Sequence, residues 1–129
     1  LKNKIFLGDS GNYIIASLIG TLIIKENLSN PKTFYVEELL LLFLIPGIDL
    51  IRLFLTRIKN KKSPMKGDLN HLHHLLLKKF NLYKTLIIYL LLAVIPSFIF
   101  ILNENLLVIL IVSVIIIYFS LINKLLKKN

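Results

Sequence analysis

Four long apolar blocks, separated by polar stretches, dominate the hydrophobic pattern of the chain. They lie at about residues 11–25, 34–55, 85–102 and 106–122. As a helix, the second block reaches about 33 Å, which is enough to cross the hydrocarbon core of a bilayer. The short polar turn "NEN" between the last two blocks admits only an antiparallel helix pair. The pattern therefore predicts an all-α integral membrane bundle with four transmembrane helices, although the first block is shorter than the roughly 20 residues that a span needs.

The polar stretch between the second and third blocks, residues 56–84, carries a helical pattern of its own. Asp68 is a residue type that caps helices at their N-terminus. The apolar positions that follow at helical spacing are Leu69, Leu72, Leu76 and Phe80. A connection of this length is often functional. We therefore expect a loop that carries a short helix beginning at Asp68.

The composition agrees with a membrane protein rather than with a water-soluble domain. Of the 129 residues, 56% are hydrophobic and 18% are charged, whereas soluble domains carry about 25% charged residues. Cysteine is absent, which excludes disulfides and thiolate metal sites. The chain begins with Leu1 and shows no signal-peptide pattern. We therefore expect the C-terminal part of a longer membrane protein, whose N-terminal spans are its structural partners.

The distribution of the basic residues predicts the orientation in the membrane. The formal net charge is +9. If all four blocks span, thirteen Lys and Arg residues lie on the side of the N-terminus, the 56–84 loop and the C-terminus, and only Lys25 and Lys32 lie opposite. By the positive-inside rule that side is cytoplasmic. The bilayer thus accounts for the charge, and without alternating aromatic and basic residues we expect no nucleic-acid partner.

All three histidines fall within the motif "GDLNHLHH", residues 67–74. At about 100° per residue on a helix, His71, His74 and Lys78 share one face, and His73 points nearly the other way. Imidazoles, an ammonium group and the first N–H groups of a helix are suitable donors for a phosphorylated ligand. Two other interpretations remain open. In the first, the segment is a solvated interfacial helix whose histidines have no function. In the second, His71 and His74 share a zinc ion, for which no third ligand is obvious.

A second polar motif, "FLGDSGN" at residues 6–12, lies at the start of the first block. Gly8 and Gly11 allow a tight turn there. The Asp9 carboxylate can hold a hard cation such as Mg²⁺, which binds to few carboxylates together with substrate phosphates. The alternative is that Asp9 or Ser10 only caps the first helix.

The second block contains a charged pair, Asp49 and Arg52, in "PGIDLIRLFLTR". The two residues are three apart, so that they can pair on one helix face. A charge inside a membrane costs about 3 kcal/mol on insertion scales and often indicates function. A structural pair and the wall of a site both remain open. Pro46 and Gly47 are expected to kink or loosen the same helix.

The order of these motifs resembles that of the polyprenyl-phosphate N-acetylhexosamine-1-phosphate transferases, which include the undecaprenyl-phosphate GlcNAc-1-phosphate transferases of bacteria. "FLGDSGN" opens one span, P-x-x-D lies in the next, and "SPMKGDLNHLHHLL" follows. The resemblance implies a multi-pass enzyme of the bacterial plasma membrane with cytoplasmic active-site loops. Such an enzyme transfers a sugar 1-phosphate from a UDP-sugar to undecaprenyl phosphate, releases UMP, and requires Mg²⁺ or, alternatively, Mn²⁺.

The resemblance also implies roles for individual residues. Asp9 matches the aspartate that binds the metal. The residues that match the substrate-binding loop are Asp68, His71, His73 and His74. Asp49 matches the acidic position of P-x-x-D, and we expect it to contribute to the substrate site or to shape it.

The chain also departs from the family pattern. Asn12 stands where the family usually has Ser, and Met65 and Leu69 stand where Phe and Arg are common. The adjacent aspartate pair of the family does not occur in this sequence. The catalytic residues are therefore not identifiable here, and we expect no catalysis by this segment alone. Two other classes compete: a non-enzymatic membrane module that binds a partner or anionic headgroups, and a fragment of a metal-handling transporter.

Overall fold

A computed structural model describes residues 8–30, 35–61, 63 and 70–127, apart from the side chain of Asp9. The described residues contain no strand and are almost entirely helical, which confirms the all-α prediction. A 3-10 turn at Glu104–Leu106 precedes the last helix. The helices are α1 (Gly8–Ser29), α2 (Val36–Lys59), α3 (Leu72–Lys79), α4 (Leu82–Leu102) and α5 (Leu107–Leu126).

Helix α1 is a 22-residue helix that starts earlier and ends later than its apolar block. Gly8 begins the helix with φ of 68°, in the left-handed region that favours glycine. Gly11 lies inside the helix, so the prediction that it forms part of a tight turn is wrong. A glycine in a helix costs only about 1 kcal/mol relative to alanine, which is too little to break a helix of this length.

Three of the described helical segments are long and apolar enough to cross a membrane: Val36–Lys59, Leu82–Leu102 and Glu104–Leu126. Helix α1 is not among them, because polar residues occupy both of its ends. The prediction of three membrane helices after residue 35 is therefore confirmed by length and composition. A fourth span at α1 stays a prediction.

Helices α2, α4 and α5 form a bundle in which α4 runs antiparallel to the other two. At one end of the bundle, Leu41 near the start of α2 packs with Phe100 near the end of α4 and Leu110 near the start of α5. The turn between α4 and α5 is closed by the Asn103 side chain, which accepts a hydrogen bond of 3.1 Å from the backbone N–H of Asn105. The antiparallel pair predicted for the last two blocks is thus confirmed.

Helix α3 closes the other end of this bundle. Its apolar face, formed by Leu72, Leu75 and Leu76, is buried against side chains of the long helices. The partners from those helices are Ile45, Val114, Tyr118, Ile122 and Leu125. Burial of this apolar face thus holds the first turn of α3 at the end of the bundle.

The start of α3 differs from the sequence prediction. Asp68 lies outside the described residues, and Asn70 is not helical. His71 is the N-cap, with an extended backbone at φ −60° and ψ 149°. The helix thus begins at Leu72, and the prediction that Asn70 lies in its first turn is wrong. The physical reason is that a carboxylate from α2 caps α3, as described below.

The exterior of the bundle is apolar. Large aliphatic and aromatic side chains on all three long helices are exposed, among them Phe43, Leu50, Leu90, Phe98, Ile109 and Ile116. Soluble proteins seldom expose apolar surface on this scale, whereas a bilayer solvates such surface favourably. Both Pro46 and Pro96 lie inside continuous helices, as membrane helices tolerate. The chain is therefore a membrane protein.

Helix α3 offers a matched test of this packing. Leu76 is 1% exposed and its neighbour Leu77 is 40% exposed. We expect Leu76→Ala to lower the free energy of unfolding by about 2–5 kcal/mol, because it leaves a cavity between α3 and the bundle. Leu77→Ala should change it by only about 0.5 kcal/mol. Equilibrium unfolding in mixed micelles, followed by circular dichroism, measures both, and equal losses would contradict the described packing.

Candidate functional site

Asp49 is the centre of a polar network inside the bundle. It lies on α2 and is 3% exposed. Its Oδ1 atom accepts hydrogen bonds from Arg52 Nη2 at 2.9 Å and from the Tyr118 hydroxyl at 2.6 Å. The predicted pair between Asp49 and Arg52 is thus confirmed. A buried carboxylate needs such donors, because an unpaired charge in an apolar environment costs several kcal/mol.

The second carboxylate oxygen of Asp49 contacts the start of α3. Asp49 Oδ2 lies 2.8 Å from His71 Nδ1 and accepts a hydrogen bond of 3.1 Å from the backbone N–H of Leu72. The carboxylate therefore caps α3 from another helix, where a negative charge is favourable. The first N–H groups of a helix starting at Asp68 were expected to be available to an anionic ligand; at the observed start of α3, the Leu72 N–H is already bonded to Asp49.

Arg52 connects three parts of the unit. Its Nε donates a hydrogen bond of 2.7 Å to the Tyr118 hydroxyl on α5. Its Nη2 donates another, also of 2.7 Å, to the backbone carbonyl of Asn70 just before α3. We call the side chains of Asp49, Arg52, His71 and Tyr118, with the main chain of residues 70–72, the Asp49 network.

No sequence pattern singled out Tyr118. It lies 69 residues from Asp49 in the chain, within an apolar block, and its side chain is fully buried. The sequence offered one general indication. A buried tyrosine hydroxyl usually has a hydrogen-bond partner, and a charged side chain within a membrane also needs a polar partner. That indication does not identify which of the five tyrosines pairs with which charge.

The three histidine rings lie close together. The ring centroids of His71 and His73 are 5.6 Å apart, those of His73 and His74 are 4.2 Å apart, and those of His71 and His74 are 6.5 Å apart. The prediction that His73 points away from the other two is therefore wrong. It assumed helical geometry from His71 onwards, whereas His71 has an extended backbone. We call these three rings the imidazole cluster.

The surroundings of His73 disfavour its protonated form. Burial by neighbouring protein lowers the pKa of His73 below its usual value, and the nearby imidazoles of His74 and His71 lower it further. The Asp49 carboxylate acts in the opposite direction. The ring of Tyr89 on α4 lies edge-on to that of His73, with centroids 6.5 Å apart. The environment of His73 thus favours its neutral form.

The other candidate residues have different outcomes. In the part of the chain that the structure describes, no group of three His, Cys, Asp or Glu side chains is placed to hold a metal ion. The zinc interpretation of His71 and His74 therefore finds no third ligand there. Asp9 lies in the first turn of α1, but its side chain and the whole of Asp68 are outside the described residues. Their roles stay predictions.

The pKa of His73 can be measured by NMR titration in micelles. We expect its midpoint below 6.5 and expect His74→Gln to raise it, because that change removes a neighbouring positive charge. As the pH falls, the unfolded chain binds a proton at His73 at a higher pH than the folded protein does. The contribution of His73 to stability is therefore complete above pH 6.5 and decreases as the pH falls from there through the pKa of the folded protein. His73→Gln identifies the resonance, and a midpoint at or above 6.5 would contradict this environment.

Comparison with known proteins relates the sequence of this chain to curated enzymes of one name. No family model matches the chain, and no solved structure matches it. Curated relatives named undecaprenyl-phosphate alpha-N-acetylglucosaminyl 1-phosphate transferase do match. Those of Haemophilus influenzae and Pasteurella multocida are 29% and 30% identical over 77 residues, which is 60% of this chain and 22% of each relative. That of Thermotoga maritima is 31% identical over 88 residues, which is 66% of this chain and 28% of the relative.

The chain thus spans about a quarter of the length of the curated relatives it matches. The matched share of this chain is nevertheless well above half, and relatives from several bacteria carry the same name. The resemblance inferred from the motifs is therefore confirmed: this chain is a homologue of the undecaprenyl-phosphate alpha-N-acetylglucosaminyl 1-phosphate transferases.

Proposed function

We propose that this chain is part of an enzyme that transfers N-acetylhexosamine 1-phosphate from a UDP-sugar to undecaprenyl phosphate and releases UMP. Its product would initiate a cell-envelope glycan. The observation that carries the proposal is the imidazole cluster, held at the end of a membrane bundle in a chain whose relatives are named for this type of transfer. UDP-GlcNAc is the default donor by analogy with those names.

The charge distribution of the bundle supports a cytoplasmic position for the imidazole cluster. The described basic residues around α3 and at the adjoining ends of the long helices are Arg57, Lys59, Lys61, Lys78, Lys79, Lys84, Lys124 and Lys127. The opposite ends of these helices carry Glu37, Glu38 and Glu104. By the positive-inside rule, the α3 end faces the cytoplasm of a bacterial plasma membrane. A fourth span at about residues 11–25, as the apolar pattern of the sequence predicts, would give the residues before it, including Asp9, a cytoplasmic position as well.

In the proposed reaction, an oxygen of the lipid phosphate attacks the β-phosphorus of the UDP-sugar. The bond from that phosphorus to the bridging oxygen breaks, and UMP leaves. The ring nitrogens of His71, His73 and His74 that are not bonded to the protein hydrogen-bond phosphate or sugar groups and so orient the donor, with Asp68 in the same loop. Catalysis of this kind depends on positioning and charge neutralisation more than on a covalent enzyme group.

Asp9 is the proposed metal ligand. A single carboxylate is suitable for Mg²⁺, which keeps waters and substrate phosphates as its other ligands. Asp49 is not suitable, because protein donors already occupy both of its oxygens. When bound, the ion would neutralise charge on the diphosphate.

An assay of sugar transfer tests the proposed function. Membranes from cells that express the whole reading frame encoding this chain should convert radiolabelled UDP-GlcNAc into a lipid-linked product. His71→Ala should lower the rate by about 10²-fold or more, because a ring that orients the substrate is lost. Tyr83→Phe is the control, since Tyr83 is 76% exposed on α4. Unchanged turnover in His71→Ala would refute the role of the histidine. Metal uptake that depends on His71 and His74, without transfer, would favour the transporter instead.

The metal requirement is tested separately in the same membranes. Chelation by EDTA should stop transfer, and Mg²⁺ should restore it. We expect Asp9→Asn to raise the Mg²⁺ concentration needed for half-maximal rate by about tenfold or more, because a neutral amide is a weaker ligand for a hard cation than a carboxylate. Ser10→Ala, at the next position of the same helix turn, is the control. An unchanged Mg²⁺ dependence in Asp9→Asn would exclude Asp9 as a ligand.

A further inference from the structure

We propose that Asp49 is a positioning residue: it fixes the hydrogen of the neutral His71 ring on Nδ1 and thereby presents Nε2 to the ligand of the imidazole cluster. The proposal stands on the contacts of the Asp49 network. Only the nature of the ligand, a phosphate or sugar group of the donor, rests on the proposed function.

The hydrogen on His71 Nδ1 follows from the number of donors around Asp49. Four groups lie at hydrogen-bond distance from its two oxygens: Arg52 Nη2, the Tyr118 hydroxyl, the Leu72 N–H and His71 Nδ1. The first three donate to the carboxylate: the guanidinium and the backbone N–H can only donate, and the Tyr118 hydroxyl donates to Oδ1 while it accepts from Arg52 Nε. An ionised carboxylate only accepts. His71 Nδ1 must therefore donate to Asp49.

The position of Nε2 follows from the ring itself. In an imidazole, Nδ1 and Nε2 point in different directions, so a ring held at Nδ1 directs Nε2 away from the bonded carboxylate. His71 is half-buried, and the rings of His73 and His74 lie within 6.5 Å of it. Neutral His71 thus presents Nε2 as an acceptor, and protonated His71 presents it as a donor. The Asp49 carboxylate accepts the hydrogen bond from Nδ1 in both forms.

An asparagine at position 49 would reverse this arrangement. It has one oxygen and one NH₂ group in place of the two oxygens of aspartate. Because the Arg52 guanidinium cannot accept, the amide oxygen is expected to face Arg52 and Tyr118. The NH₂ group then faces His71, which can accept it only at Nδ1, with the hydrogen moved to Nε2. Asp49→Asn therefore selects the other tautomer of His71, as the corresponding change does in other aspartate–histidine pairs.

Tyr118→Phe is the matched control for a purely structural role. It removes the hydroxyl that donates to Asp49 and accepts from Arg52, but it keeps the ring in the core. The network then loses two hydrogen bonds and the protein loses stability, because Arg52 Nε is left without its acceptor. Asp49 Oδ2 still accepts from His71 and Leu72 in this variant, so the tautomer of His71 is expected to stay unchanged.

The tautomer can be read from ¹⁵N NMR of the protein in micelles at alkaline pH, where the ring is neutral. The His73→Gln/His74→Gln double variant supplies a background in which His71 is the remaining histidine. We expect hydrogen on Nδ1 in this background and in Tyr118→Phe, and hydrogen on Nε2 in Asp49→Asn. Hydrogen on Nε2 in the background itself would overturn the proposal, and this measurement does not depend on whether Asp49→Asn folds. An equal change in both variants, or no change in either, would also overturn it.

A kinetic measurement connects the tautomer to the ligand. In the sugar-transfer assay on the whole reading frame, we expect Asp49→Asn to lower kcat by at least about 10- to 100-fold, the range found for residues that orient metal-binding histidines. The pH dependence of the remaining activity should change in Asp49→Asn and stay as in the unmodified protein in Tyr118→Phe. If the NMR result holds but the protein transfers no sugar, the proposed function fails and the positioning role of Asp49 stands. If transfer occurs and Asp49→Asn leaves both kcat and its pH profile unchanged, the positioning role fails.

Discussion

The burial of one carboxylate organises the α3 end of the bundle. Asp49 is held within an apolar environment, where an uncompensated charge would cost several kcal/mol. Its donors come from three places: its own helix, the last helix, and the segment that begins α3. Each donor satisfies the charge only if its helix is in place. The same contacts that stabilise the carboxylate therefore define how α2, α3 and α5 meet, and removal of one partner leaves the others unsatisfied.

The position of the imidazole cluster depends on that arrangement. His71 lies outside α3 because its ring and the following N–H both bind to Asp49, and this keeps its backbone extended. The extended residue brings its ring next to those of His73 and His74. Three neighbouring imidazoles form a surface of hydrogen-bond donors and acceptors. Such a surface is suited to phosphate and sugar groups, the type of substrate named for the relatives of this chain.

The bilayer imposes the second constraint. The long helices direct most of their apolar side chains outward, and their few buried positions contact one another or α3. Charged groups are confined to the helix ends, with the exception of the Asp49 and Arg52 pair, which the network compensates. The Asp49 network and the imidazole cluster thus lie at one end of the apolar bundle, where rigid helices support their side chains.

The sequence by itself determined what depends on local patterns. Apolar blocks and their lengths predicted the helices, their polar ends predicted the turns, and a spacing of three predicted the pair of Asp49 and Arg52, because these features depend on neighbours within a few residues. The family resemblance followed from motif order. Only the tertiary structure decided that α3 starts at Leu72, that His73 joins the other histidines, and that Tyr118 completes the network. These features depend on contacts between residues that are 22 to 69 positions apart, and no local periodicity encodes which distant donor a buried carboxylate will meet.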